Sequence, residues 1–325
     1  MKDVEVTVYC LVYNHGKYLS ECLNAIVNQK TNFRFKVVVH DDASTDNSAD
    51  IIREFEAKYP DIIEPIYQTE NQHSKRVGIV QNFIYPRMEG KYVAICEGDD
   101  FWIDENKLQK QYDAMEENPD IHLCVCRVRE VDKNGNSLGF SKPRDPRIIG
   151  GRVPAETVVK VVAECGYQFQ TSGYFYRKAS YDVFNSNRDK YYVKSKIGDT
   201  QLILYFSHLG DFYFIDEELS CHRNNDSNWS TRVDSIPEEK LEMVTDVIKF
   251  YNKFDDYTGG KYRKYVKIRL DIMRRGYVHC CISNNWNDKV AGIKYWKYYD
   301  TKKELIYSLM KVYAPKLLKL IGKAD

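Results

Sequence analysis

Val4-Glu5-Val6-Thr7-Val8-Tyr9-Cys10-Leu11-Val12 runs into Tyr13-Asn14-His15-Gly16, after which Tyr18, Leu19, Cys22, Leu23, Ile26 and Val27 recur at helical spacing. The first run is rich in β-branched residues, the tetrapeptide is turn chemistry, and the third segment collects its apolar residues on one helix face. This is strand, loop, helix, and the unit repeats. Phe35 to His40 reads as a second apolar strand and Asp41 to Ser48 as a polar loop; Ile51, Ile52, Phe55 and Tyr59 stripe a helix that stops at Pro60. Ile62 to Tyr67, Val77 to Tyr85 and Tyr92 to Cys96 continue the alternation as strand, helix and strand. Strands alternating with helices of this length predict an α/β fold, Rossmann-like, with a mostly parallel sheet covered on both faces. Such sheets bind ligands beyond the carboxyl ends of their strands. The most polar loops of this half, at Tyr13-Asn14, Asp41-Asp42 and Asp99-Asp100, each follow a strand directly, so they are expected on one edge.

Further along, Leu108, Tyr112 and Met115 mark a helix ended by Asn118-Pro119, Ile121 to Val128 is a strand, and Lys133-Asn134-Gly135-Asn136 is a hairpin turn. Ser141 to Arg152, with two prolines and two glycines, is expected to be a mobile loop. Helices at Ala155 to Glu164 and Asp199 to His208, with strands at Ser172 to Arg177 and Phe212 to Ile215, suggest a mixed, smaller subregion. From about Ile236 the pattern is helical, ending in Leu305 to Ile321. The expected organisation is one sheet domain over 1–230, divided near 103, and a basic helical extension over 231–325.

The formal net charge is only +1, yet from Tyr251 onward 17 Lys and Arg face 7 Asp and Glu. An acidic body speaks against general nucleic-acid binding, which needs a cationic surface. The basic tail, with its final helix presenting Leu305, Leu309, Leu317 and Ile321 beside Lys302, Lys311, Lys316 and Lys319, instead suits an anionic membrane surface or the protein's own body. Nine cysteines, several inside apolar runs, read as small core residues of a reducing compartment. Met1-Lys2-Asp3-Val4-Glu5 carries no apolar signal region and no run of 18 apolar residues occurs, so a cytoplasmic protein, or one peripheral on the cytosolic face, is expected.

Glu97-Gly98-Asp99-Asp100 puts two adjacent carboxylates on a loop after a buried strand. Their repulsion is relieved by Mg²⁺ or Mn²⁺, which takes one or two carboxylates plus phosphate oxygens and neutralises charge on a departing diphosphate. A solvated acidic turn that caps the next helix is the plainer alternative. In Asp41-Asp42-Ala43-Ser44-Thr45-Asp46, one of Ser44, Thr45 or Asp46 is the natural N-cap of the following helix. The aspartate pair is not needed for capping and can accept hydrogen bonds from a base or a ribose. Neither GxxxxGK[ST] nor GxGxxG occurs, so phosphate must be held some other way.

Taken together, Val12-Tyr13-Asn14, Val38-Val39-His40-Asp41-Asp42-Ala43-Ser44-Thr45-Asp46 and Glu97-Gly98-Asp99-Asp100 resemble the family 2 glycosyltransferases of the GT-A fold. Ile197-Gly198-Asp199, opening a helix about 100 residues after the acidic motif, and Phe214-Ile215-Asp216-Glu217-Glu218-Leu219 extend the resemblance over roughly residues 4 to 230. The resemblance implies an inverting transferase that uses a nucleotide-diphosphate sugar, UDP-linked by preference, a Mn²⁺ or Mg²⁺ cofactor and a saccharide or lipid-linked saccharide acceptor in surface polysaccharide synthesis. It implies that Asp42 contacts the base, Asp99 the ribose or metal, that Asp100 ligates the metal and that Asp199 takes the acceptor's proton. Tyr13, Asn14, Asp41 and Arg223 fall at the donor, Trp102, Thr171 and Ser172 near the acceptor, with core packing an equal alternative for Tyr13 and Trp102, and His222 is a further metal candidate. Where many relatives carry Tyr-Arg-x-His, this chain reads Cys221-His222-Arg223-Asn224-Asn225, so histidine and arginine are shifted and Asn225 stands at the expected histidine. A non-catalytic nucleotide-sugar or carbohydrate-binding module of the same fold is the alternative; the joint presence of Asp99, Asp100 and Asp199 speaks against it.

Overall fold

Strand β1 (Val4–Val12) is buried from Val6 to Cys10 without a break, the signature of a strand covered on both faces. Helix α1 (Leu19–Val27) buries Leu19, Cys22, Leu23, Ile26 and Val27 against it. Each such side chain fully removed from water contributes about 1.5–3 kcal/mol. β2 (Arg34–Asp41), α2 (Ser48–Lys58), β3 (Ile63–Tyr67) and β4 (Tyr92–Ile95) follow. The order is β3-β2-β1-β4, all parallel, with Val12 opposite Asp41, Asp41 opposite Tyr67 and Tyr9 opposite Ile95. The chain therefore winds outward from β1 through β2 to β3 and then crosses back to place β4 on the other side of β1. That reversal is a topological switch point, the place where open α/β sheets bind their ligands, outside the carboxyl ends of the strands. In this computed structural model the described residues are 3–195, 197–225 and 237–283, with Lys302, Ile306 and Met310 beyond them.

The second half of the sheet is mixed, as expected. β5 (Phe101–Trp102), α3 (Lys107–Glu117), β6 (Leu123–Val131), β7 (Ser137–Lys142), β8 (Gly151–Val153), α4 (Ala155–Cys165), β9 (Tyr174–Arg177), α5 (Lys178–Ser186), α6 (Arg188–Tyr191), α7 (Gly198–Leu209) and β10 (Phe212–Arg223) occur in that order. β9 runs antiparallel between β4 and β6, while β10 is parallel to β6 and antiparallel to β5 and β8.

Three expectations are corrected. Val77 to Tyr85 is not a regular helix but a π turn at Val80–Ile84 and a 3-10 turn at Tyr85–Arg87, where Pro86 offers no amide hydrogen to a helical ladder. The stretch expected to be mobile is pinned: Arg147 bonds Asp145 at 2.7 Å and Glu164 at 2.6 Å, and Ile148 is buried. β10 runs on to Arg223 instead of ending at Ile215, because its acidic middle is paired, Asp216 with Arg127, Glu217 with Lys110 and Glu218 with Arg129.

The chain divides into two compact units, Met1–Arg188 with Leu202–Asn225, and Asp189–Gln201 with Asp226–Asp325. In the second, α8 (Pro237–Tyr257) and α9 (Arg263–Ser283) form a helical pair with Phe254 stacked on Tyr262 at 5.8 Å. Lys253 donates to the carbonyls of Asp189 (2.7 Å) and Tyr192 (2.9 Å), and Tyr191 packs on Tyr257, which fastens the 189–201 segment to α8. The closing helix expected over 305–321 lies outside the described residues apart from Ile306 and Met310. Among the described residues no helix is long and apolar enough to cross a membrane.

Candidate active site at the sheet switch point

The loops after β1, β2 and β3 each contain a non-glycine residue in the left-handed region, Asn14 (φ 57°), Ala43 (φ 60°) and Arg76 (φ 56°). Such strain persists only where surrounding contacts over-determine it. Here they do. The Asn14 amide donates to Ser44 Oγ at 2.9 Å, Thr45 N–H donates to Asn14 Oδ1 at 2.8 Å, the His15 amide to Ser48 Oγ at 3.0 Å and the Gly16 amide to Asp46 Oδ2 at 2.9 Å. The start of α2 uses the same residues: Asn47 makes no side-chain cap bond, but Asp46 Oδ1 accepts the amide of Ser48, the first residue of the helix, at 2.9 Å, while its Oδ2 and Ser44 hold the β1 loop. Ala43 gains nothing from its side chain in this backbone, so Ala43→Gly is expected to stabilise the protein by about 1 kcal/mol, read as a higher unfolding midpoint. A lower midpoint would show that the loop backbone is not strained at this position.

Asp41 and Asp42 are both buried, and their charge is met by backbone amides. Asp42 accepts from Gln72 N–H at 2.7 Å and His73 N–H at 3.0 Å, while Asp41 accepts from Ser44 N–H at 3.3 Å. Both carboxylates thus order the loops at the carboxyl ends of β2 and β3. Tyr13 stands on the same edge, 47% exposed, with its ring open to a planar ligand.

Across the switch point, Gly98 permits the closest approach of the β4 loop to β1. A Cβ there would fall 2.8 Å from His15 Nδ1 and 3.1 Å from Val12 Cγ2. Asp99 Oδ2 accepts from Asn225 Nδ2 at 2.9 Å, while its Oδ1 lies 3.9 Å from His15 Nδ1, a buried nitrogen without a partner. Asp100 is buried; Oδ1 accepts the Arg223 amide at 3.0 Å, and Oδ2 is without a hydrogen-bond partner, as is Ser172 Oγ. Burial raises the Asp100 carboxyl to about 7; His222 opposes the shift and Asp99 adds to it, and the Ser172 hydroxyl eases it without reaching bonding geometry. A buried, unsatisfied carboxylate oxygen at a switch point asks for a partner.

Two candidates occupy structural roles. Arg223, expected at the diphosphate, is turned inward: Nε donates to the Asp99 carbonyl at 3.0 Å, Nη2 to Glu21 at 2.5 Å, and the guanidinium lies over Tyr18 at 4.6 Å and Phe101 at 5.0 Å. It braces the acidic loop. Trp102, open between the acceptor and the core, is in the core: β5 pairs with β10, the indole N–H donates to Ser172 O at 3.2 Å and Lys107 covers the ring at 4.2 Å. Thr171 and Ser172 are buried in a 3-10 turn beneath the Asp100 carboxyl.

His222 is held by a residue that sequence reasoning missed. Its Nδ1 lies 2.9 Å from Glu130 Oε2, and Glu130, itself buried, also accepts from Gln170 at 2.6 Å and Asn224 at 2.6 Å. Burial works against an imidazolium, yet Asp100 and Glu130 outweigh it and carry His222 up to about 9; burial likewise opposes Glu130's charge, and the bond from His222 still brings it down to about 2. His15 was missed as well. The only signal for either was position, His15 within the β1 loop and Glu130 as a charge amid an apolar strand.

Among the described residues no group of three or more His, Cys, Asp or Glu can by itself hold a metal ion. The unpaired Asp100 Oδ2 and the neighbouring Asp99 still fit a cation that takes most of its ligands from a phosphate, as Mg²⁺ and Mn²⁺ do. Asp199 stands in the first turn of α7, and the residues before it are fastened by Gln201, which accepts from Val193 N–H at 2.8 Å and donates to Val193 O at 2.7 Å.

The family model described as Glycosyl transferase family 2 matches residues 7–168. A Mycobacterium tuberculosis protein is 35% identical over 132 residues, 40% of this chain and 37% of its own length. A Bacillus spizizenii poly(ribitol-phosphate) beta-glucosyltransferase is 30% identical over 45% of this chain and 22% of its own. The chain thus spans well under half the length of these curated relatives. Staphylococcus aureus TarS (residues 1–349) in complex with UDP-GlcNAc superposes with a TM-score of 0.54 at 16% identity, over 97% of this chain and 81% of that one. The Pyrobaculum calidifontis mannosyltransferase in complex with GDP-Man and Mn²⁺ superposes with a TM-score of 0.54 at 14% identity, over 100% of this chain and 89% of that one. Identities this low speak to the fold alone, which is GT-A.

Proposed function

Because the chain belongs to glycosyl transferase family 2, we propose that it transfers a sugar, with inversion, from a nucleotide-diphosphate donor to a saccharide or lipid-linked saccharide acceptor in surface polysaccharide synthesis. The observation that carries this reading is the buried, unpaired Asp100 Oδ2 beside Asp99, at the carboxyl ends of β1 and β4 where the strand order reverses. Tyr13 offers a face for the base, and the rim ordered by Asp41, Asp42 and Asn14 receives the nucleoside. Asp99 and Asp100 would hold Mn²⁺ or Mg²⁺ with most of the remaining ligands drawn from the donor's phosphates. When bound, that cation neutralises charge on the diphosphate. Asp199 takes the proton from the acceptor hydroxyl, and a single displacement with one base inverts the anomeric centre. The relative named for glucosylation of poly(ribitol-phosphate) supports a polymer acceptor, and the fold neighbour bound to UDP-GlcNAc supports a UDP-linked donor. The basic tail would bring the enzyme to an acceptor held at an anionic membrane surface.

A thermal-shift screen of nucleotide sugars with and without Mn²⁺ tests the donor. Ligand at 100 times its Kd is expected to stabilise by about 2.7 kcal/mol, for one nucleotide and only with Mn²⁺. Equal response to every nucleotide, or none to any, would remove the basis for a donor site here.

A further inference from the structure

We propose that His15 is a positioning residue whose Nδ1–H donates to Asp99 Oδ1 when the donor binds and fixes the plane of that carboxylate, an inference that rests on the transfer reading above.

The loop after β1 fixes the backbone of His15 on both sides. Its amide donates to Ser48 Oγ at 3.0 Å, and its carbonyl accepts the Tyr18 and Leu19 amides at 2.8 and 2.9 Å where α1 begins. Asn14 before it is locked in the left-handed region by its bonds to Ser44 and Thr45. The side chain is carried to a defined place without a bond of its own there: Nδ1 is buried and unpartnered, with Asp99 Oδ1 at 3.9 Å. The facing loop leaves room for the ring. A Cβ on Gly98 would stand 2.8 Å from Nδ1, so a larger residue at 98 would displace the histidine or the acidic loop.

A buried ring nitrogen left unpaired costs stability, and a fold that needed only the volume of the ring would be served as well by phenylalanine. A carboxylate can only accept, so the atom that meets it must carry a proton. The present gap is too long for a hydrogen bond; closing it to about 2.9 Å takes about 1 Å of movement, and bonds that are long in a ligand-free site tighten when the substrate is in place. Asp99 Oδ2 already accepts Asn225 Nδ2 at 2.9 Å. A second bond on Oδ1 therefore holds the carboxylate at both oxygens, and each oxygen keeps a further lone pair for the donor or its cation. Asp100 is tied separately, through the Arg223 amide at 3.0 Å.

The test measures by calorimetry the binding of UDP and of GDP, each with Mn²⁺, to the protein and to two variants that fail in opposite ways. His15→Asn gives up the ring but carries an amide N–H close to the place of Nδ1; His15→Phe keeps the ring and gives up the donor. For the nucleotide that the parent binds more tightly, His15→Phe is expected to weaken binding roughly 5–10-fold, while His15→Asn stays within about twofold of the parent. A side chain that only fills space gives the reverse order. That reverse order, or equal affinities for the two variants, would overturn the positioning role and leave the transfer reading standing. A parent that binds neither nucleotide would overturn both. If a variant does not fold, the parent decides: with the nucleotide and diamagnetic Mg²⁺, long-range proton–nitrogen spectra are expected to show a proton on His15 Nδ1, and a proton on Nε2 alone sinks the proposal.

Discussion

Asp100→Asn is expected to lower transfer by roughly 10²–10⁴-fold while leaving the cation-free protein as stable as the parent at pH 4 and more stable at pH 8. The two effects have one cause. In the folded protein the Asp100 carboxyl titrates near 7 instead of its ordinary 3.8, because burial disfavours the anion and Asp99 repels it, against the help of His222. Below pH 3.8 the group is protonated whether the chain is folded or not, and nothing is lost. Between there and pH 7 the unfolded chain releases the proton first, so native stability falls as pH rises. Above pH 7 the penalty is complete. At about 1.4 kcal/mol per unit its ceiling is about 4 kcal/mol, and the attraction of His222 already lies within that balance. Asparagine carries no charge at any pH and can still accept the Arg223 amide, so it escapes the penalty. It cannot ligate a cation as a carboxylate does, so Mn²⁺ with UDP should raise the unfolding midpoint of the parent and not of the variant. Unfolding curves at the two pH values, with and without Mn²⁺, and nucleoside diphosphate release measure all of this. A variant less stable than the parent at pH 8 without cation would show that Asp100 is retained for folding and not for chemistry.

The same contrast explains what could be read from the sequence. The parallel half was legible because strands covered on both faces are written as unbroken apolar runs, Val4 to Val12 and Phe35 to His40, and because each polar loop follows its strand directly. The line of loops at one edge follows from that order alone. Packing roles were not legible. Nothing in the run Cys221-His222-Arg223 tells that the guanidinium turns inward over Tyr18 and Phe101, or that Trp102, two residues after the acidic pair, closes the core. Glu130 falls on the strand face of Cys126 and Val128, a charge in an apolar row whose partner, His222, shows only when β10 is laid beside it. The acidic run Asp216-Glu217-Glu218 carries no strand signal of its own; the arginines of β6 and the lysine of α3, distant in sequence, pair with it within β10. Likewise, the helical pattern after Asp226 gives no hint that residues 189–201 join that unit through Lys253. Partners far apart in sequence settle such roles.

Asp199→Asn is expected to reduce kcat by roughly 10²–10⁴-fold, with donor and Mn²⁺ binding unchanged. The expectation separates a base from a helix residue. As a carboxylate in the first turn of α7, Asp199 interacts with the helix dipole, and losing that charge costs about 0.3–1 kcal/mol of stability and nothing in rate. As a base it is needed only when the acceptor hydroxyl attacks, so its loss lowers kcat and kcat/KM together and spares the binding of the ground state. The fold should tolerate the change. Gln201 grips Val193 by both its backbone groups and Ser195 Oγ at 2.8 Å, and Tyr191 is packed on α8, so contacts made by other residues hold the segment before the helix. A Gln201→Leu variant gives the opposite signature, a lower unfolding midpoint from buried backbone groups left unpaired. Measured as nucleoside diphosphate released on saturating donor and acceptor, a rate for Asp199→Asn within about threefold of the parent would place the base elsewhere, whereas a large loss with an unmoved Mn²⁺ titration gives Asp199 the proton.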